Sequence, residues 1–163
     1  MCIDNKADIN KKSVNGDSPL HMSCCTGNTN AGRVLLENGA NINITDNQGF
    51  TIIHRAAAKG SVECCAVLLK MGADIDTFHY CGTALVLASR YEQHQVVKYL
   101  LDNGATPTIR DKMLDTCLHH AVKNGDVETV KIIMEKCGDQ LLELKDKHEN
   151  TTLHVAARTG NEE

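Results

Sequence analysis

The chain has 163 residues, of which 42% are hydrophobic and 23% charged, so it has enough apolar material to bury a core and does not have the composition of a disordered segment. Its 17 Lys and Arg stand against 21 Asp and Glu, a formal charge of -4, which argues against a protein built to neutralise nucleic-acid phosphates or an anionic membrane. No apolar run is long enough to span a bilayer, and Met1-Cys2-Ile3-Asp4-Asn5-Lys6 lacks the basic and apolar regions of a secretory signal, so no membrane insertion of this segment is expected. The 8 Cys include two adjacent pairs, Cys24-Cys25 and Cys64-Cys65, within helix-like stretches, which reads as reduced thiols in a cytoplasmic setting rather than as a disulfide framework.

In chain order, one motif is written five times: Ser18-Pro19-Leu20-His21, Thr51-Ile52-Ile53-His54, Thr83-Ala84-Leu85-Val86, Thr116-Cys117-Leu118-His119 and Thr151-Thr152-Leu153-His154. A second motif follows the first three copies in phase: Gly39-Ala40-Asn41, Gly72-Ala73-Asp74 and Gly104-Ala105-Thr106. The copies start about 33 residues apart, the period of a stacked supersecondary unit. The Ser or Thr that opens each copy suits a helix N-cap. After a turn, Val62, Cys65, Leu68 and Leu69, and likewise Val96, Val97, Leu100 and Leu101, recur on one face of a second helix. Gly39, Gly72 and Gly104 then provide the left-handed residue that ends it. Two short antiparallel helices cannot hide their apolar faces alone, so neighbours must stack.

This pattern resembles the ankyrin repeat over residues 6–163. The resemblance implies a mainly α solenoid of helix-turn-helix units with hairpin-like turns, about four complete repeats with partial ones at both ends. One repeat domain is expected over 1–163: the tail of a preceding repeat at 1–10, repeats at 11–43, 44–76, 77–108 and 109–144, and a truncated repeat at 145–163. Both ends read as cut within a unit, so a piece of a longer array is expected, monomeric apart from its exposed truncated ends. Three departures stand out. The third repeat has Val86 in the motif's His position and Glu92 where Gly27, Gly60 and Gly125 turn the chain between helices, and the fourth has Cys137 at the usual terminal Gly, with a long loop through Leu141, Leu142 and Leu144.

The residues with reactive side chains point to structure. His21, His54, His119 and His154 hold one motif position and are expected to tie each turn to neighbouring backbone. A ladder of His on separate helices cannot converge within about 2 Å of one zinc, and His119 and His120 diverge on their helix. Cys117 stands at the first turn of a helix, where a mildly lowered pKa is expected, yet a small residue filling an inter-repeat gap accounts for it better. Cys24, Cys64 and Cys65 are expected to be packed and inert. Neither Gly-x-x-x-x-Gly-Lys nor Gly-x-Gly-x-x-Gly occurs. No catalytic, cofactor or metal residue is therefore predicted.

What the resemblance implies instead is a concave groove, made of turn tips and the exposed face of each first helix, that takes a protein or peptide partner. Phe50, Phe78, Tyr80 and Tyr91 map there, with Arg90, Arg110 and Met113 beside them, and aromatics and Arg are the residues that anchor interfaces. These seven are the candidate protein-binding residues, extended by Lys112 and Asp115. Phe78 and Tyr80 flank a one-residue deletion, so packing of a shortened turn competes with the interface reading there. The expected function is a non-catalytic interaction module; the alternative is the cytosolic arm of a larger channel, kinase or other multidomain protein.

Overall fold

The computed structural model describes residues 8–160. Lys6 and Ala7, read as part of a preceding repeat, and the stretch from Asn161, read as the start of a further helix, lie outside the described residues. Helix pairs follow in order: α1 (Pro19–Cys25) and α2 (Thr29–Glu37), α3 (Ile52–Lys59) and α4 (Val62–Lys70), α5 (Ala84–Arg90) and α6 (His94–Asp102), α7 (Cys117–Asn124) and α8 (Val127–Cys137), and finally α9 (Thr152–Thr159). Among the described residues the connecting turns carry two isolated β-bridges, Thr45 with Thr51 and His79 with Gly82, and are otherwise closed by backbone bonds such as Asp111 N–H to the Asp115 carbonyl.

Helices this short are marginal alone, and their ends are secured by side chains. Ser18, Thr51, Thr116 and Thr151 each begin a first helix in a capping box closed by the His three residues on. The second helices α2, α4 and α8 are capped by Asn28, Ser61 and Asp126, which accept from Ala31, Cys64 and Thr129 amides. Such caps are worth about 1 kcal/mol each. α5 and α6 are the exceptions: Gln93 makes no side-chain cap bond to α6, and with Val86 in the imidazole's place the buried hydroxyl of Thr83 has no hydrogen-bond partner.

The helices form two layers. α1, α3, α5, α7 and α9 pack in succession as an inner row, and α2, α4, α6 and α8 as an outer row. Between the rows lies one continuous core. Leu20, Ile53, Leu85 and Leu118 enter it from the second position of each first helix, and Leu35, Leu68, Leu100 and Ile133 from the outer helices. Leu153 holds the same motif position as Leu118 but stands exposed, because no outer helix pairs with α9 among the described residues.

Two departures from the repeat pattern have clear physical consequences. The long connection after α8 is not an open loop: Gly138–Leu141 forms a 3-10 turn whose Leu141 is fully buried, which anchors the insertion to the core. Glu92 occupies the left-handed region, φ 57°, where Gly27 and Gly125 both have φ 70°. A side chain there strains the backbone by about 1–2 kcal/mol. Gly32, in the middle of α2, is explained by close approach: a Cβ would stand 3.0 Å from the hydroxyl of Ser23 on α1.

Glu92→Gly is expected to stabilise the chain by about 1 kcal/mol, the relief of left-handed strain less the added freedom of the unfolded chain. The urea unfolding midpoint should rise at constant slope, and an unchanged or lower midpoint would show that the Glu92 side chain compensates for its backbone.

Candidate protein-binding face

The motif His side chains do two jobs at once. In repeat one, the Ser18 amide donates to His21 Nδ1 at 3.3 Å, which fixes that nitrogen as an acceptor and leaves the proton on Nε2. Nε2 then donates to the Phe50 carbonyl of the next repeat at 3.4 Å. His54 does the same, with Thr51 behind it and the Thr77 carbonyl ahead at 3.0 Å, and His119 bonds the Asn150 carbonyl at 3.3 Å. The sequence-based expectation of a turn tied to neighbouring backbone holds at these three positions. Burial pushes all three imidazoles down, His54 to about 4, because it removes the water that would solvate a charged ring.

The tips of the turns are laced by one further bond per junction. The Asn47 amide group donates to the Val14 carbonyl at 3.1 Å, His79 Nε2 to the Gln48 carbonyl at 3.1 Å, the Lys112 amide to the Tyr80 carbonyl at 3.1 Å and the Lys147 amide to the Met113 carbonyl at 2.9 Å. His79 was not singled out from the sequence, yet it organises the aromatic cluster. It replaces the turn Asp of repeats two, four and five, accepts from the Cys81 amide through Nδ1 at 3.2 Å, and stacks between Phe50 and Tyr80 with ring centres 3.9 and 4.0 Å away. The shortened turn of repeat three is thus plugged by His79, with Phe50 and Tyr80 on either side.

The seven candidate residues divide accordingly. Phe50 is half-buried, covered by the Arg55 guanidinium 4.5 Å from its ring centre. Tyr80 is 49% exposed and carries the Lys112 ammonium 4.8 Å from its ring centre. Arg110 is exposed and Met113 half-buried on the next turn. Phe78 is exposed one residue before His79, and Tyr91 is exposed at the far end of α5 from Tyr80, so the structure does not bring Tyr91 to the cluster. Arg90 turns towards the neighbouring repeat, where it pairs with Asp111 at 3.1 Å. An open depression of about 500 Å³ lies one repeat earlier, bounded by Asn15, Asp17, Asp46, Gln48, Arg55 and Lys59.

Buried acids organise the turns. Asp46 accepts from the Gln48 and Phe50 amides and from Arg55; burial alone would raise its pKa, but these bonds hold it below the usual carboxylate value. Asp111 accepts from the Met113 and Asp115 amides, and from Arg90 and His120 through its other oxygen. Arg55 and His120 occupy equivalent positions of their repeats and contact equivalent acids, a pairing visible in the sequence only as a fixed offset about each N-cap. Asp111, Asp115 and His120 offer ligand atoms within 4.8 Å of one another, and these are the described residues best placed to hold a metal. Arg90 and Lys123 already pair with the two carboxylates, although Asp115 Oδ1 is buried without a hydrogen-bond partner.

The thiols divide too. Cys117 does not have the lowered pKa expected of a helix N-terminus: complete burial pushes it up to about 12, outweighing the amides around it. Cys65 is likewise raised to about 12 by burial. Cys24 and Cys64 are buried and share a hydrogen bond between repeats one and two that raises Cys24 and lowers Cys64, so only the expectation that they are packed holds for this pair.

The family model for ankyrin repeats (3 copies) matches residues 1–79 and 85–163. The chain belongs to the ankyrin-repeat family. It is 32% identical over 74 residues to ankyrin repeat protein L92 of Acanthamoeba polyphaga mimivirus, a match covering 44% of this chain and 18% of that protein. It is 45% identical over 53 residues to ankyrin repeat protein FPV031 of Fowlpox virus (strain NVSL), covering 32% and 16%. The chain therefore spans less than a fifth of either relative by aligned length. Ankyrin repeats are in general protein-interaction modules and generally non-catalytic, and no helix among the described residues is long and apolar enough to cross a membrane.

Because the folded state holds His21, His54 and His119 neutral while the unfolded chain protonates near 6.5, their contribution to stability is fully present above that pH. It is lost as pH falls from 6.5 towards about 4, by about 1.4 kcal/mol per unit for His54 in that window. Urea unfolding at pH 7.5, 6 and 5 should show this decline, with a shallower slope for His54→Asn. A flat profile would mean that the imidazoles are not held neutral.

Proposed function

We propose that this chain is a non-catalytic protein-interaction module whose groove, formed by turn tips and inner helices, receives a protein or peptide. The observation that carries this reading is the laced row of tips, which presents Tyr80 and its neighbours from a backbone fixed at every junction. Side chains held in advance lose less conformational entropy on binding than those of a mobile surface. Phe78, Tyr80, Arg110, Met113 and Tyr91 are the residues assigned to contact; Phe50 and Arg90 support the face through His79, Arg55 and Asp111. We assign the module to the cytoplasm, where the cysteines of the described residues, all unbridged, stay reduced, and read it as a monomer.

A second reading, the repeat arm of a larger protein such as a channel or kinase, draws on the greater length of the two viral relatives. In that arrangement the same face acts within, or on behalf of, the longer chain.

Tyr80→Ala combined with Tyr91→Ala is expected to abolish capture of a binding protein while lowering the melting temperature less than Phe50→Ala does, since both rings are about half exposed even though Tyr80 packs one face on His79. Phe50→Ala should instead lower the melting temperature clearly, because it strips the His79 stack and the Arg55 contact. Capture unchanged by the double substitution would remove these residues from the interface.

A further inference from the structure

The net charge of -4 conceals a strong asymmetry between the two sides of the stack. The turns and inner helices, residues 8–27, 45–60, 77–91, 110–125 and 144–160, carry eleven Lys and Arg against seven Asp and Glu. The remaining described segments, which hold the outer helices, carry five against eleven. Four of the seven acids on the turn side, Asp46, Asp111, Asp115 and Asp146, are buried. Asp46, Asp111 and Asp115 are paired with Arg55, Arg90 and Lys123, and Asp146 accepts from the Asn150 and His148 amides. Glu149 is paired with Lys145.

Positive charge without an acid partner therefore accumulates at the tips of repeats four and five. Arg110, Lys112 and Lys147 are exposed, and none of them forms an ion pair among the described residues. Apolar surface alternates with them. Tyr80 lies under Lys112, the Lys147 ammonium reaches the Met113 sulfur at 3.8 Å, and Leu114 is 42% exposed. Leu114 sits in the left-handed region, φ 59°, where the first two repeats have Gly16 and Gly49. A leucine placed there costs backbone strain and gains exposed apolar surface at the tip, the reverse of what stability alone favours.

We propose that these tips bind an extended acidic peptide segment of a protein partner, with Arg110, Lys112 and Lys147 taking its carboxylates and Tyr80, Met113 and Leu114 an apolar side chain between them. The proposal rests on the interaction reading above and adds the chemistry of the partner. Stacked repeats lie about 10 Å apart and an extended chain advances about 3.3 Å per residue, so acids three residues apart match Lys112 and Lys147. The mixture of three cations with apolar surface, in a chain that is acidic elsewhere, favours a peptide over a nucleic acid.

The test is to pan an unbiased linear peptide display library against the folded protein, then measure binding of fluorescein-labelled selected peptides to the wild type, to Arg110→Glu/Lys112→Glu/Lys147→Glu and to Tyr80→Ala. Selected peptides should be acidic, with acids three residues apart around an apolar residue. They should bind the triple variant at least about tenfold more weakly at unchanged helicity and melting temperature, and weaken as salt is raised. Neutral or basic peptides that still depend on Tyr80 would overturn the acidic partner while leaving the interaction reading intact. Acidic peptides bound equally by the triple variant would also overturn it. If the protein retains no peptide, or a single-stranded oligonucleotide binds the same cations in preference, both the partner chemistry and the interaction reading fail.

Discussion

The structure depends on an imidazole that accepts on one nitrogen and donates on the other. The amide and hydroxyl of the N-cap residue fix the tautomer, and the remaining N–H crosses to the backbone of the next repeat. One side chain thereby satisfies a helix end and a junction, two places where an unpaired backbone group would otherwise be costly. Short helices and short junctions are each weak, and coupling them makes the array cooperative.

Most of this architecture is legible in the sequence because it is periodic. The N-cap residues recur five times, the motif imidazoles four and the terminal glycines three, all in phase, and features repeated in this way are read with little ambiguity. The same periodicity conceals what happens at one copy only. His79 falls on the one-residue deletion, where the register is lost, so its substitution for a turn Asp and its stacking between Phe50 and Tyr80 appear only in three dimensions. The pairing of Arg55 with Asp46 and of His120 with Asp111 joins residues nine apart whose proximity depends on how the turn folds over the helix. Cys117 shows a different limit: its place at a helix N-terminus and in an inter-repeat gap is readable, while the sequence does not say which of the two sets its pKa.

The candidate face illustrates how local support and exposure are divided. Phe50 and Arg90, which composition alone marks as interface residues, have structural partners, whereas Tyr80, Arg110 and Lys112 remain open to solvent on the backbone those partners hold. The acids that would cancel the surface cations are drawn inward to bind turn amides. Folding the turns therefore separates the charges, and the basic character of the tips is a by-product of using carboxylates as internal hydrogen-bond acceptors.

Repeat three interrupts the imidazole series. With Val86 in place, the joint to repeat four is held instead by Arg90 on Asp111, by Asn124 donating to the Arg90 carbonyl at 2.8 Å and by the His94 contact with Thr129 at 2.9 Å. Of these three contacts the Arg90–Asp111 pair is ionic and partly exposed, so electrolyte weakens it, as it does not a buried neutral imidazole. The array thus has one seam of different material. Added salt therefore loosens the Arg90–Asp111 link across this seam more than it does the imidazole joints, while the packing of α5 on α7 and of α6 on α8 keeps the two portions of the stack together.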